Sequence, residues 1–277
     1  MEPDVLTRLR ARPAVAAVLD RLGERADVWV VGGAVRDALL DRAPRDLDLV
    51  VAGDALALAA QLGDLVAAHE PFGTAEVCVD GLAVGVAAAR TETYPAPGAL
   101  PVVRPAALEE DLRRRDFTVN AVAVGLDGRQ HGSGPWREDL DGRLLRVLHD
   151  GSFADDPTRL WRAARYAARL GFALEERTER LARAAVSDGA LDTVSGPRVG
   201  AELLLALDEP DPEAALVAAH ELGLLPAGIR PRRRLVRDAL ALGGAHVRPG
   251  LLALAAMCGA MPGPRLRAWL DELGVPA

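Results

Sequence analysis

The sequence predicts an α+β protein, an α/β head followed by an all-helical part, and three observations carry that reading. Up to about residue 150, short β-branched runs alternate with segments of helical apolar spacing. Beyond that point the apolar pattern is helical throughout, with no β-branched alternation. Several of the later segments open with proline in their first turn, where its missing N–H costs nothing.

In the head, strands are expected near 28–31, 46–52, 75–80, 82–88 and 119–126, and helices near 6–22, 34–40, 54–69 and 108–114. The stretch 91–105 holds four prolines and a glycine, which excludes regular structure and predicts a loop of functional length. A second turn-rich segment, 127–142, precedes the helical half. There, helices are expected at 157–170, 176–185, 197–207, 212–222, 232–242, 250–257 and 264–273.

The chain has 277 residues, half of them apolar, enough to bury a sizeable core. Residues 1–22 mix acids and arginines with apolar residues at helical spacing, unlike a signal peptide, and no later apolar run is long and uncharged enough to span a bilayer. Cys78 and Cys258, far apart and each in an apolar stretch, read as buried thiols in a reducing compartment. A cytoplasmic protein is the expectation. The net charge of −7 excludes a protein that coats nucleic acid nonspecifically but leaves room for a local basic track. Every basic side chain apart from histidine is arginine, so arginine identity by itself says little about function.

The strongest local pattern is Gly32-Gly33-Ala34-Val35-Arg36-Asp37, followed after a short helix by Asp46-Leu47-Asp48. Glycines between a strand and a helix let the backbone approach a triphosphate, and the helix start offers free N–H groups. Arg36 can add a fork to the same phosphates. Asp46 and Asp48 stand two apart on a strand, so both carboxylates project from one face and can share Mg²⁺ ions. Either piece alone reads more readily as an ordinary strand-to-helix turn or as aspartates that open an exposed strand. Together they say more, because Asp48 sits in an apolar run that reads as a buried strand, where metal binding would offset the cost of two carboxylates.

A second pattern, Arg113-Arg114-Arg115-Asp116-Phe117-Thr118-Val119-Asn120, joins a charged helix end to a strand. Its arginines suit phosphate, while Asp116 and Asn120 can bind a ribose hydroxyl or hold those arginines in place. A third runs from Ser152 through Asp155-Asp156-Pro157-Thr158-Arg159 into a helix on which Arg159, Arg162, Arg165 and Arg169 form one basic stripe. Asp156 before Pro157 is also an ordinary helix cap, and the two roles are compatible. Near the C-terminus, Arg230, Arg232, Arg233, Arg234 and Arg237 lie within eight residues and read either as a solvated helix face or as a phosphate track.

These motifs, in this order and spacing, resemble the bacterial-type tRNA nucleotidyltransferase and poly(A) polymerase family from about Val28 to Leu225. The linking pieces Phe72-Gly73-Thr74-Ala75, Arg90-x-Glu92-x-Tyr94, Leu100-Pro101 and Glu110-Asp111-Leu112 are similar as well. The resemblance implies a polymerase β-type head with a mixed sheet at 1–148, a helical neck at 149–208 and a short helical body at 209–277 that contacts RNA. It implies that Asp46 and Asp48 hold Mg²⁺, and that Gly32, Gly33 and Arg36 contact triphosphate. Arg115, Asp116 and Asn120 would face phosphate and sugar, and Asp156 and Arg159, with Arg162 and Arg165 beside them, the base. The implied partners are the 3′ acceptor end of tRNA, ATP and CTP.

Three departures qualify the match. Relatives usually carry an acid in the strand before Arg90, whereas residues 83–87 here are Ala-Val-Gly-Val-Ala, implying a two-carboxylate metal site. Asp155 stands where CCA-adding members often have glutamate, and the chain ends soon after the implied neck. A tRNA 3′-end nucleotidyltransferase is the expected function, with a poly(A) polymerase or an A-adding enzyme as the nearest alternative. An RNA-binding remnant of weak activity and a small-molecule nucleotidyltransferase are the readings from other classes. Retention of both Asp46 and Asp48 weighs against the remnant, and the long helical extension against the small-molecule enzyme.

Overall fold

A computed structural model describes residues 4–230, 232–242, 248–259 and 261–275, with the side chains of Arg233 and Leu242 outside that description. The chain forms two compact units, residues 1–93 with 101–142, and residues 94–100 with 143–277.

The first unit runs α1 (Val5–Arg10), α2 (Pro13–Leu22), β1 (Val28–Val31), α3 (Gly33–Leu39), β2 (Leu47–Val51), α4 (Ala55–Leu62), β3 (Asp64–His69), β4 (Thr74–Val79), β5 (Leu82–Ala88), β6 (Arg90–Thr93), β7 (Val102–Pro105), α5 (Leu108–Arg113), β8 (Val122–Gly125), β9 (Gln130–Gly132) and α6 (Trp136–Asp141). A seven-stranded sheet has the order β3-β4-β5-β2-β1-β8-β9. It is mixed, since β2 and β5 run parallel while the other pairs are antiparallel. Alternation sends Val28, Val30, Leu47, Leu49, Val77, Val84 and Val124 to a core shared with residues of α1 to α4. The opposite face packs Val31, Val50 and Ala123 beneath Leu108 and Leu112 of α5. Beyond that cluster, Glu76, Cys78 and Ala83 of β4 and β5 on this face are exposed.

The second unit contains β10 (Leu144–Leu145), α7 (Ser152–Asp155), α8 (Thr158–Leu170), β11 (Ala173–Leu174), α9 (Glu176–Ser187), α10 (Gly196–Leu207), α11 (Pro212–Glu221), α12 (Arg233–Leu242), α13 (Pro249–Met257) and α14 (Gly263–Glu272). α8 is its buried centre: Leu160, Trp161, Ala163 and Ala164 are almost wholly enclosed, and α10 and α11 pack on it.

The mixed sheet and the helical second half match the expectation, but several local readings change. The helix expected at 6–22 is two, because Pro13 forces Arg12 into extended backbone. The helix expected at 54–69 stops at Leu62, and Asp64–His69 instead forms edge strand β3, paired with β4. The expected loop at 91–105 contains the hairpin β6–β7, whose prolines lie at its tip or strand ends. The strand expected from 119 begins at Val122, after a 3₁₀ turn at Thr118–Asn120. The segment 127–142 holds β9 and α6. Cys258 is buried, which pushes its thiol up to about 11, but Cys78 is exposed, because alternation along β4 turns it to the open face.

Candidate active site

In the first unit the site grows from the end of β1. Val31 pairs with Asp48 of β2, and Asp48 pairs on its other side with Gly85 of β5. Gly32 then leaves the strand at φ +67°, a left-handed turn that glycine adopts without penalty. Its N–H still donates to Val122 O at 2.9 Å, so the turn is held to β8, and α3 starts at Gly33. Asp46 lies just before β2, and both Asp46 and Asp48 are exposed while Leu47, Leu49, Val50 and Val51 are buried. The expected desolvation cost of these carboxylates is therefore absent, since the pleat puts the leucines in the core and the acid at the surface.

Gly85 shapes the space around Asp48. A Cβ built on Gly85 would lie 2.6 Å from Asp48 Oδ1, closer than real contacts allow, so the Asp48 carboxylate occupies the volume of the missing side chain.

The two head motifs are joined by a hydrogen-bonded chain. Arg36 is 1% exposed, and its guanidinium donates to Asp37 Oδ1 at 2.9 and 2.7 Å and to Asn120 Oδ1. Asn120 Nδ2 donates to Asp116 Oδ1 at 3.0 Å, and the same oxygen accepts the Phe117 N–H at 2.7 Å. Arg36, expected as a phosphate fork, is thus buried, and these bonds tie the Gly-Gly turn to the segment after α5. Asn120 serves the holding role that the sequence left open beside ribose binding.

Arg115 reaches the turn from just past the end of α5. A Cβ on Gly32 would meet its Nη1 at 3.0 Å, its Nη2 donates to Asp111 Oδ2 at 3.0 Å, and its Nε is buried with no hydrogen-bond partner among the described residues. Asp111 is fully buried; burial opposes its charge most strongly, yet Arg115 and Arg114 together hold its carboxyl below the usual value. Arg114 donates to Asp111 Oδ1 at 2.7 Å and to Glu92 Oε1 at 2.8 Å, and Arg90 also donates to Glu92. Asp111 and Glu92 therefore fix the arginines; Asp111 does so at helical spacing, three and four residues before them, whereas the role of Glu92 is not announced by local sequence, since it lies 22 residues from Arg114.

In the second unit, Asp156 follows α7 and is half-buried. Its Oδ1 accepts from Thr158 N at 3.2 Å, Thr158 Oγ1 at 2.6 Å and Arg198 Nη2 at 3.1 Å. Arg198 also donates to Gly98 O at 2.6 Å. Its part was not legible in the sequence, since it lies 42 residues from Asp156. Arg159 is buried and donates to Ser152 Oγ at 2.7 Å. His149 lies 3.7 Å from Asp155, and burial with the nearby Arg159 charge lowers its pKa.

The expected basic stripe does not exist as a row of equivalent cations. Arg165 is buried between Glu202 of α10 and Glu209, at 3.2 Å from each, and Arg169 donates to Glu209 at 2.8 Å. Arg162 is half-buried, donating to Tyr166 Oη at 3.0 Å and lying 3.6 Å from Glu202. The helical spacing that suggested a stripe sends these side chains toward the carboxylates of neighbouring segments. Of the C-terminal arginines, Arg230, Arg232, Arg234 and Arg237 are exposed, and the side chain of Arg233 lies outside the described residues. Arg234 is 3.9 Å from Asp238.

Among the described residues, no three His, Cys, Asp or Glu side chains form a ready-made metal cage. That suits Mg²⁺, which commonly takes one or two protein carboxylates and completes its shell with water and substrate phosphates. Asp46 and Asp48 supply exposed oxygen donors, and the clearance at Gly85 gives Asp48 its position, so the residues present fit such an ion. No helix among the described residues is long and apolar enough to cross a membrane.

A family model described as "Poly A polymerase head domain" matches residues 28–132. An A-adding tRNA nucleotidyltransferase of Geobacter sulfurreducens is 42% identical over 235 residues, which are 80% of this chain and 27% of that protein. A CC-adding tRNA nucleotidyltransferase of Deinococcus radiodurans is 40% identical over 255 residues, covering 87% of this chain and 66% of its own. The chain therefore spans only part of the length of these relatives. A solved structure of a tRNA nucleotidyltransferase complexed with a primer tRNA and an incoming ATP analog is similar at 32% identity and a TM-score of 0.75, covering 91% of this chain and 77% of that one.

Proposed function

Because this chain belongs to the bacterial tRNA nucleotidyltransferase and poly(A) polymerase family, we propose that it extends the 3′ end of a tRNA without a template, adding C, A or both from CTP and ATP. The observation that carries this reading is the set of groups around the Gly32 turn: exposed Asp46 and Asp48, the Asp48 carboxylate seated over Gly85, and the unpartnered Nε of Arg115. The RNA 3′-oxygen attacks the α-phosphorus, the bond to the bridging oxygen of the β-phosphate breaks, pyrophosphate leaves and the hydroxyl proton passes to solvent. Asp46 and Asp48 would hold Mg²⁺, which when bound neutralises charge on the transferring phosphoryl group. The Gly32 turn and Arg115 bind the triphosphate, and Asp116 contributes on the sugar side. The buried Arg36–Asn120 link keeps these groups in register.

Base choice is assigned to the neck at 149–208, through Asp156 and Arg159. An ionised carboxylate only accepts and a guanidinium only donates. Cytosine and adenine both offer an amino donor beside a ring-nitrogen acceptor, which complements that pair, whereas uracil and guanine present a carbonyl beside an N–H. The body at 209–277 contacts RNA through its exposed arginines. A second reading, addition of A alone, is favoured by the similarity to the A-adding tRNA nucleotidyltransferase of Geobacter sulfurreducens.

Incubating the protein with tRNA lacking CCA, or lacking only the terminal A, with each labelled triphosphate tests both readings. Incorporation of C, or of C followed by A, on the first substrate supports the broad activity, and incorporation of A on the second with none on the first supports the narrow one. No incorporation on either would refute both.

A further inference from the structure

One row across the sheet links Asp48 to the carboxylate-bearing Glu76. Asp48 pairs with Gly85, and Gly85 pairs with Glu76 of β4, so the three Cα atoms lie in line on neighbouring strands. Residues paired across strands point to the same face, so Glu76 and Asp48 share a face, with Gly85 between them carrying no side chain. Asp48 Oδ1 already leans into that gap, 2.6 Å from where a Cβ would stand. Glu76 is exposed and makes no hydrogen bond or ion pair among the described residues. At about 4.8 Å per strand, Asp48 and Glu76 lie roughly 10 Å apart at their Cα atoms. Both side chains rise from the same face, so the two carboxylates can stand on either side of an ion-bound water above Gly85.

Resting on the reading of this site as a Mg²⁺-dependent transferase, we infer that Glu76 is the outer carboxylate of the metal site, accepting a hydrogen bond from an ion-bound water across the opening at Gly85. Two observations besides the acids support this. The Gly85 clearance opens the path from Glu76 to Asp48, and the buried, unpartnered Arg115 Nε beside Gly32 marks the same turn as a place awaiting an anionic ligand. The arrangement also accounts for the lack of a ready-made cage: an outer-shell acid joins when the ion and its waters arrive.

Mn²⁺, a paramagnetic stand-in for Mg²⁺, reports binding by loss of its free electron spin resonance signal, independently of turnover. Glu76→Gln is isosteric and exposed, so the fold tolerates it. It should weaken Mn²⁺ binding by about tenfold or more, as lost outer-shell partners commonly do. Glu76→Asp keeps the charge but shortens the reach and should weaken binding similarly. Asp80→Asn, an exposed acid on the same hairpin, should leave binding unchanged and so controls for the general negative field. If Asp48→Asn abolishes Mn²⁺ binding while Glu76→Gln behaves like Asp80→Asn, the role of Glu76 is overturned and the site reading stands. If Asp48→Asn itself binds Mn²⁺ normally, the site reading fails.

Discussion

At the scale of single residues, the two aspartates proposed to hold the metal contribute little to the fold. Asp46 and Asp48 are exposed, so replacing either with asparagine removes charge without disturbing packing. Each variant should melt at the wild-type temperature and lose nucleotide addition, because the deficit falls on transition-state charge; near-normal turnover with Mg²⁺ would remove them from the site. Gly85→Ala tests the same site from its neighbour. Alanine suits a strand better than glycine, yet its Cβ would lie 2.6 Å from Asp48 Oδ1. Melting should hold steady or rise while kcat falls at least tenfold, and an unchanged kcat would show that the carboxylate position is not critical. The paired aspartates were legible from their spacing alone. Their exposure was not, since the apolar run around them predicted burial.

Element-scale effects centre on α8. Asp156 has one oxygen occupied by Thr158 and Arg198, so it acts as a cap as well as a candidate base reader. Asp156→Ala should therefore lose about 1 kcal/mol of stability, typical of a lost cap, and also accept UTP and GTP more readily. Stability loss with intact C and A selectivity would leave only the cap. Arg165 separates the two kinds of arginine on this helix. Glu209→Ala strands Arg165 and Arg169 beside one fewer carboxylate, and breaking such a buried pair costs about 3–5 kcal/mol. Denaturant titration should show a loss of that order; a shift below about 1 kcal/mol would mean the pair behaves as a surface bridge. Helical spacing identified which arginines share α8 but not their partners, because Glu202 and Glu209 lie 37 and 44 residues from Arg165.

For the whole molecule, the net charge of −7 means that the proposed contact with RNA must rest on local groups of arginines. Arg234 and Arg237 are exposed on α12 and offer a direct measurement. Replacing both with alanine should weaken tRNA binding and reduce the slope of log affinity against log salt by about one per lost phosphate contact, without changing which base is added. An unaltered slope would make them a solvated helix face.

Sequence by itself determined the α/β head followed by helices, the strand-to-helix glycine turn and the paired aspartates, because these depend on periodicity and spacing within short segments, while the order of its motifs carried the resemblance to the family. It misjudged Asp64–His69, whose apolar residues fit a helix as well as a strand until β4 supplied its hydrogen-bonding partner. It likewise read a loop into 91–105, where prolines at the tip and strand ends leave the intervening β6–β7 ladder free to form. Only the tertiary structure decided that Arg36 is a buried brace, that Arg165 pairs with Glu202 and Glu209, and that Asp48, Gly85 and Glu76 form one row. Each of those facts is a pairing between residues distant along the chain, and the energy of such a pairing depends on burial and register that no local window contains.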